Sequence, residues 1–364
     1  MNKLRLTGYM FLLACMMPLL ANAQFSETRE MVKSFPVSKE TQIEIGNKYG
    51  KIDIKTWDID SVRVEVKMSV EEKKLSKLEE ALKGIDFTIT SSQNYLIFST
   101  EVDKNKSSVA KEIQKFKETL LSSDGNIQID YTVWMPNSNP LKIENKFGDI
   151  FIGDYLGEAR IDLSNGNLKA GSFTKPLELT LNFADATINS IEQGRLDCNF
   201  SQLYVKKLGT VRVTSRSTEF DIQEADDLNL NSRRDKFRIR QVDLLDAEGS
   251  FSNFRISELT DRINIRTEYG DLEIERTAPD FGEIVVQSKN TDISLNFNRD
   301  GHFNYDFTYS KTELSLSSMM KEEDKEVSED EKTVKETGYF GKKSNDAPKL
   351  NITADSGSIN IRER

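Results

Sequence analysis

Apolar and polar residues alternate along most of this chain with a period of two, and the alternation is broken at regular intervals by a turn. The aromatic–small–polar triplets Phe147-Gly148-Asp149, Phe183-Ala184-Asp185, Phe200-Ser201-Gln202, Phe251-Ser252-Asn253 and Tyr269-Gly270-Asp271 mark those turns. Each is flanked on both sides by apolar–x–apolar. Alternation predicts strands with one buried face. The expected inward columns before the turn read Leu141, Ile161, Leu179, Leu196, Val211, Leu228, Leu245, Ile263, Ile284, and then Ile143, Leu163, Leu181, Cys198, Val213, Leu230, Ala247, Ile265, Val286. After the turn come Ile150, Leu168, Ala186, Leu203, Phe220, Phe237, Phe254, Leu272, Ile293, followed by Ile152, Ala170, Ile188, Val205, Ile222, Ile239, Ile256, Ile274, Leu295. Differences between successive indices in the third column are 18, 18, 17, 17, 17, 17, 18 and 21. The odd gap across each turn would flip the buried face of a continuous strand, so the backbone must turn there. Gly, Asn, Asp and Ser supply the turn chemistry.

The same signature recurs at Ile43, Ile45, Ile52, Ile54; at Phe87, Ile89, Leu96, Phe98; at Tyr305, Phe307, Leu314, Leu316; and at Leu350, Ile352, Ile359, Ile361. One repeat buries about four apolar side chains, worth roughly 1.5–3 kcal/mol each. Ordering its backbone costs about 1–2 kcal/mol per residue. A single repeat loses that contest, whereas stacked repeats share a core. The expectation is an all-β fold: one elongated β-solenoid, or parallel β-helix, of about 17–18 residues per rung. An antiparallel sandwich or barrel also shows alternation, but a nearly constant repeat length favours the solenoid.

Two short amphipathic stretches predict helical insertions that cap or pack, Glu71–Leu82 and Val109–Leu121. The mixed, mainly acidic run 319–349 is too poor in apolar residues to predict a fold and reads as a disordered insertion. The expected organisation is an export signal over 1–23, N-terminal rungs with helical insertions over 24–136, a central solenoid over 137–318, the acidic insertion over 319–349 and a closing rung over 350–364.

The export signal rests on Lys3 and Arg5, the apolar run Tyr9–Leu20 and the cleavage pattern Ala21-Asn22-Ala23. Cys15 lies inside the apolar run rather than at its end, which argues against a lipidation site. After cleavage Cys198 is the one cysteine left, so no intramolecular disulfide forms, and no later stretch is long and apolar enough to predict a transmembrane helix. The formal net charge is −10, which gives no electrostatic reason to bind nucleic acid or anionic lipid.

Candidate chemistry is sparse. His302 is the single histidine and has no second His or Cys for a metal site. Cys198 sits in an inward column and reads as a small hydrophobe. Asp149, Asp185 and Asp271 occupy turn positions that want Asp for backbone hydrogen bonds, although stacked carboxylates also serve glycoside hydrolysis or calcium binding. No P-loop, zinc signature or dinucleotide fingerprint is present. The chain is therefore read as no enzyme, with no cofactor and no metal. The turn aromatics Tyr49, Phe147, Phe183, Phe200, Phe251 and Tyr269 have two readings. As buried rings they stabilise a corner. As exposed rings they are surface ligand contacts, for which Tyr49, Phe147, Phe251 and Tyr269 are the candidates.

Ile43-Glu-Ile-Gly-Asn-Lys-Tyr-Gly-Lys-Ile-Asp-Ile54, Ile129-Asp-Tyr-Thr-Val-Trp-Met-Pro136, Leu141-Lys-Ile-Glu-Asn-Lys-Phe-Gly-Asp-Ile150 and Ala354-Asp-Ser-Gly-Ser-Ile-Asn-Ile361 carry a family resemblance. The chain resembles the adhesin-like β-strand-repeat proteins of the bacterial cell envelope, a domain of unknown function similar to autotransporter-adhesin head domains and widespread in Bacteroidota. The resemblance implies an envelope β-solenoid in the periplasm, at the outer-membrane surface or outside the cell, with no catalytic residues to carry over. A structural or adhesive role follows, with a glycan or an envelope protein as partner. A polysaccharide-lyase-like enzyme on a β-helix and a periplasmic scaffold for another envelope protein are the alternatives.

Overall fold

The computed structural model describes residues 24–102, 125–329 and 332–364. The expected export signal and the expected helix Val109–Leu121 lie outside the described residues. Those residues form 22 strands and one helix, and the chain divides into two units. Among described residues the smaller unit comprises 24–29, 68–86, 102 and 125–128. It contains the helix, Leu75–Gly84, with Leu78 and Leu82 buried and Leu75 52% exposed. This helix starts later than the pattern predicted, because alternation in Ser61–Glu72 continues as strand up to residue 72.

The larger unit comprises 30–67, 87–101 and 129–364. It is built on one large, mostly parallel, open sheet. Parallel neighbours follow one another in sequence: Leu141 pairs with Ala159, Ala159 with Leu177 and Leu177 with Gly194. Then Asp185, Gln202, Glu219, Lys236 and Asn253 pair in turn at steps of 17. The third and fourth expected columns match this register wherever it is paired, Leu203 with Phe220 with Phe237 with Phe254 being one run.

The first two columns need a correction. Ile161, Leu179 and Leu196 pair with Ile143 and Val213, not with Leu141 and Val211. Leu163, Leu181 and Cys198 occupy a further inward position, filled elsewhere by Asn145, Ser215 and Ser232. A two-residue slip keeps every side chain on its face, so alternation does not detect it. Leu96 and Phe98 pair with Ile43 and Ile45 and so lie before the turn, not after it. Phe87 is half-buried and Ile89 exposed, so these two are not core positions.

Both ends of the sheet depart from chain order. Gln42–Lys48 lies between Tyr95–Val102 and Leu141–Lys146, and Ile52–Trp57 between Gly125–Pro136 and Ile150–Ile152. At the other end, Lys349–Glu363 lies between Glu283–Phe297 and Phe303–Ser315. The last rung in sequence is therefore not a closing rung. It is threaded between two earlier ones.

The acidic stretch 319–349 is not a disordered insertion. Met320–Val327 and Thr333–Phe340 form an antiparallel hairpin, and the second of these strands pairs antiparallel with Phe303–Ser315. The reason is a few well-placed residues rather than composition. Phe340 is fully buried and stacks on Phe303 at 4.8 Å. Glu336 is buried but receives Lys325 Nζ at 2.9 Å and the hydroxyls of Tyr305 and Tyr309 at 3.4 and 3.2 Å. A buried carboxylate is tolerated when it is paired and hydrogen-bonded. The charged run Lys321–Glu326 lies exposed on the outer strand.

Candidate functional site

One backbone conformation recurs at successive turns along the sheet. Tyr49, Phe147, Asn165, Phe183, Phe200, Ser217, Arg234, Phe251, Tyr269, Asn290, Lys311 and Ser356 all have φ between 48° and 67°. This left-handed region costs an L-residue roughly 1–2 kcal/mol, and bulky side chains seldom adopt it. Asn tolerates it; Phe and Tyr have no local hydrogen bond to compensate. The conformation throws the corner side chain outward and turns the next residue inward. That next residue is small or polar: Gly50, Gly148, Ala184, Ser201, Thr218, Asp235, Ser252, Gly270.

The corner rings therefore face solvent, as the second of the two readings has them. Phe183 is 61% exposed, Phe251 52%, Phe200 47% and Tyr269 45%, while Tyr49 and Phe147 are half-buried. The structure groups them in three stacked pairs. Tyr49 and Phe147 lie 5.5 Å apart at 12°, Phe183 and Phe200 4.9 Å apart at 3°, and Phe251 and Tyr269 4.9 Å apart at 8°. Asn165 separates the first pair from the second, and Ser217 and Arg234 separate the second from the third. Thus the four candidate contacts come together two by two, not as one site. Phe183 and Phe200, left out of that set, form the pair between them. Asn165 followed by Gly166 was the sequence clue to a left-handed corner.

Behind the exposed corner lies a buried polar network. Asp235 carboxylate oxygens accept from Ser215 Oγ at 2.7 Å, Ser232 Oγ at 2.8 Å, the Thr218 amide at 2.7 Å and the Arg233 amide at 3.0 Å. Burial nevertheless pushes its pKa upward, against those bonds. A carboxyl group whose pKa is raised by folding contributes stability below its unfolded value, near 3.9, and loses it as pH rises through the folded value. We expect the stability of wild type relative to Asp235→Ser, which matches Ser201 and Ser252 in the same column, to fall between about pH 4 and pH 7. Urea midpoints at the two pH values check this; a constant difference would contradict it.

The remaining candidates resolve simply. Asp149 Oδ1 accepts from the Asn167 amide at 2.8 Å and from its side chain at 2.9 Å, so it serves the turn. Cys198 is buried, and burial raises its thiol pKa, leaving a poor nucleophile. His302 is exposed at the rim of an open depression that also holds Asp261, Asp280 and Asp346. Among the described residues no group of three or more His, Cys, Asp or Glu is arranged to hold a metal ion. No helix among them is long and apolar enough to cross a membrane.

No family model matches this chain, and no curated protein matches it. Several solved structures are distantly similar. A candidate adhesin from Parabacteroides distasonis shares 11% identity over 74% of this chain and 93% of its own, with a TM-score of 0.33. One from Bacteroides fragilis shares 10% over 92% and 97%, with a TM-score of 0.29. A candidate cell-adhesion protein from Clostridium sporogenes shares 12% over 93% and 100%, with a TM-score of 0.17. Likenesses this remote do not bear on what the corner binds. The left-handed, solvent-facing aromatic ladder is a property of this chain's own backbone.

Proposed function

We propose that this protein is an exported, non-catalytic β-solenoid that binds glycan through the aromatic ladder at its corner. Parallel pairing at repeated steps of 17 or 18 residues supports the solenoid. The ladder carries the binding role. Large apolar rings are held outward, in a costly conformation, where a buried position or an asparagine would serve the fold better. Exposed rings with neighbouring amides such as Asn182 and Asn199 offer a sugar both an apolar face and hydrogen bonds. The export reading rests on the pattern of residues 1–23, and protease accessibility on intact cells tests it. Protection until the outer membrane is opened would move the protein to the periplasm.

Function and stability are separable here. Stacking of an aromatic pair contributes about 0.5–1.5 kcal/mol. Relief of the left-handed strain returns about 1–2 kcal/mol, and the added freedom of glycine in the unfolded chain costs about 0.4–1 kcal/mol. Phe183→Gly with Phe251→Gly should therefore leave the melting temperature within a few degrees of wild type. The same variant should lose glycan retention by about tenfold or more, as removal of an aromatic anchor does. Affinity electrophoresis through a panel of polysaccharides reads binding, and thermal denaturation reads stability. A large drop in melting temperature with retention intact would make the ladder structural.

A further inference from the structure

The gap in the ladder between Phe200 and Phe251 is filled by cations. Arg216 and Arg233 are partners on adjacent strands, about 4.8 Å apart in rung spacing. Arg234 takes the outward corner position, and Lys236 follows two residues later. All four are exposed. The Arg216 guanidinium lies over the Phe200 ring at 5.9 Å, so the basic and aromatic surfaces are continuous.

No described carboxylate forms an ion pair with any of the four. Neighbouring carboxylates have other partners: Asp235 points inward to Ser215, Ser232 and two amides, Asp197 accepts from Asn199, Glu219 pairs with Arg238 at 2.5 Å and Glu248 with Arg266 at 3.6 Å. Elsewhere on the sheet several exposed arginines are paired, as Arg160 is with Glu178, Arg255 with Glu273 and Arg276 with Glu258, although Arg195, Arg212 and Arg240 are not. Four like charges left uncompensated on a chain of net charge −10 repel one another, and an anion relieves that repulsion. Screening over roughly 8 Å lets this local charge prevail over the distant acidic surface.

We infer that the corner between Phe200 and Phe251 recognises the acidic groups of a polyanionic glycan, with carboxylate or sulfate on the arginines and sugar faces on the rings. This rests on the reading of the ladder as a glycan surface. The test uses immobilised polygalacturonate, heparin and neutral dextran, with single-stranded oligothymidylate as a fourth probe. It compares wild type, Arg216→Gln/Arg233→Gln/Arg234→Gln, its Arg→Lys counterpart and Phe200→Ala/Phe251→Ala, each checked by thermal denaturation.

Wild type should be retained on polygalacturonate or heparin, whichever carries the matching acid, and be released by added salt. The glutamine variant should bind that glycan on the order of tenfold more weakly, and the lysine variant should recover most of the loss. Binding to dextran as tight as to the acidic glycan, insensitivity to salt, or an intact glutamine variant would overturn the inference. Stronger binding of single-stranded oligothymidylate than of either acidic glycan would replace the ligand class. Loss in the phenylalanine variant alone would remove this inference and leave the ladder standing. Loss in neither, or retention of wild type on none of the three glycans, would remove both.

Discussion

Phe237→Ala should lower the free energy of unfolding by about 3–5 kcal/mol, the usual cost of deleting a large buried aromatic. Phe237 is 1% exposed and sits between two parallel rings, Phe220 at 4.6 Å and Phe254 at 5.1 Å. Truncation leaves a cavity and breaks two stacking contacts at once. The surrounding backbone belongs to three hydrogen-bonded parallel strands and has little freedom to collapse into the space. Phe237→Leu should cost much less, because Leu168, Leu203 and Leu272 already occupy the same column in other rungs. Urea denaturation of the three proteins gives the comparison. Equal stability of the alanine variant and wild type would mean that the stack is not part of the core.

Gly148→Ala should be at least as severe, with a loss above about 4 kcal/mol or no folded protein. A Cβ at this position would stand 1.9 Å from the Gly50 carbonyl oxygen and 2.5 Å from its carbon. Those are backbone atoms, and they are held. Gly50 O accepts from Asn145 Nδ2 at 3.0 Å, and the adjacent Tyr49 amide donates to Lys146 O at 2.9 Å. Gly50 and Gly166 in the same column are equally crowded, since an added Cβ would meet a backbone oxygen at 2.1 Å in each case. Gly153→Ala is the control, because nothing lies within 4 Å of its added carbon. That variant should keep wild-type stability within about 1 kcal/mol or gain slightly. Melting of Gly148→Ala at the wild-type temperature would show that the corner is looser than described.

These contrasts bear on what the sequence could and could not reveal. The columns after the turn were legible, because Phe220, Phe237 and Phe254 alternate strictly with polar residues and recur at a constant step. The columns before the turn were blurred by two residues, since Leu163, Leu181 and Cys198 extend the apolar run where Ser215 and Ser232 end it. Local alternation also says nothing about which strands become neighbours. The threading of Lys349–Glu363 between two earlier rungs depends on contacts far apart in sequence. The acidic hairpin is not legible in the sequence, because average composition hides single anchors such as Phe340 and Glu336. At the candidate site, the ring positions were visible but their direction was not. Outward projection follows from a positive φ, and residues as different as Tyr, Arg, Lys and Ser share it.

The threaded ends have a mechanical meaning. Lys349–Glu363 holds a parallel ladder on each side, as does Gln42–Lys48. Tension applied along Lys349–Glu363 cannot strip a single ladder bond by bond. It must shear two ladders together, so the load is shared across many hydrogen bonds at once.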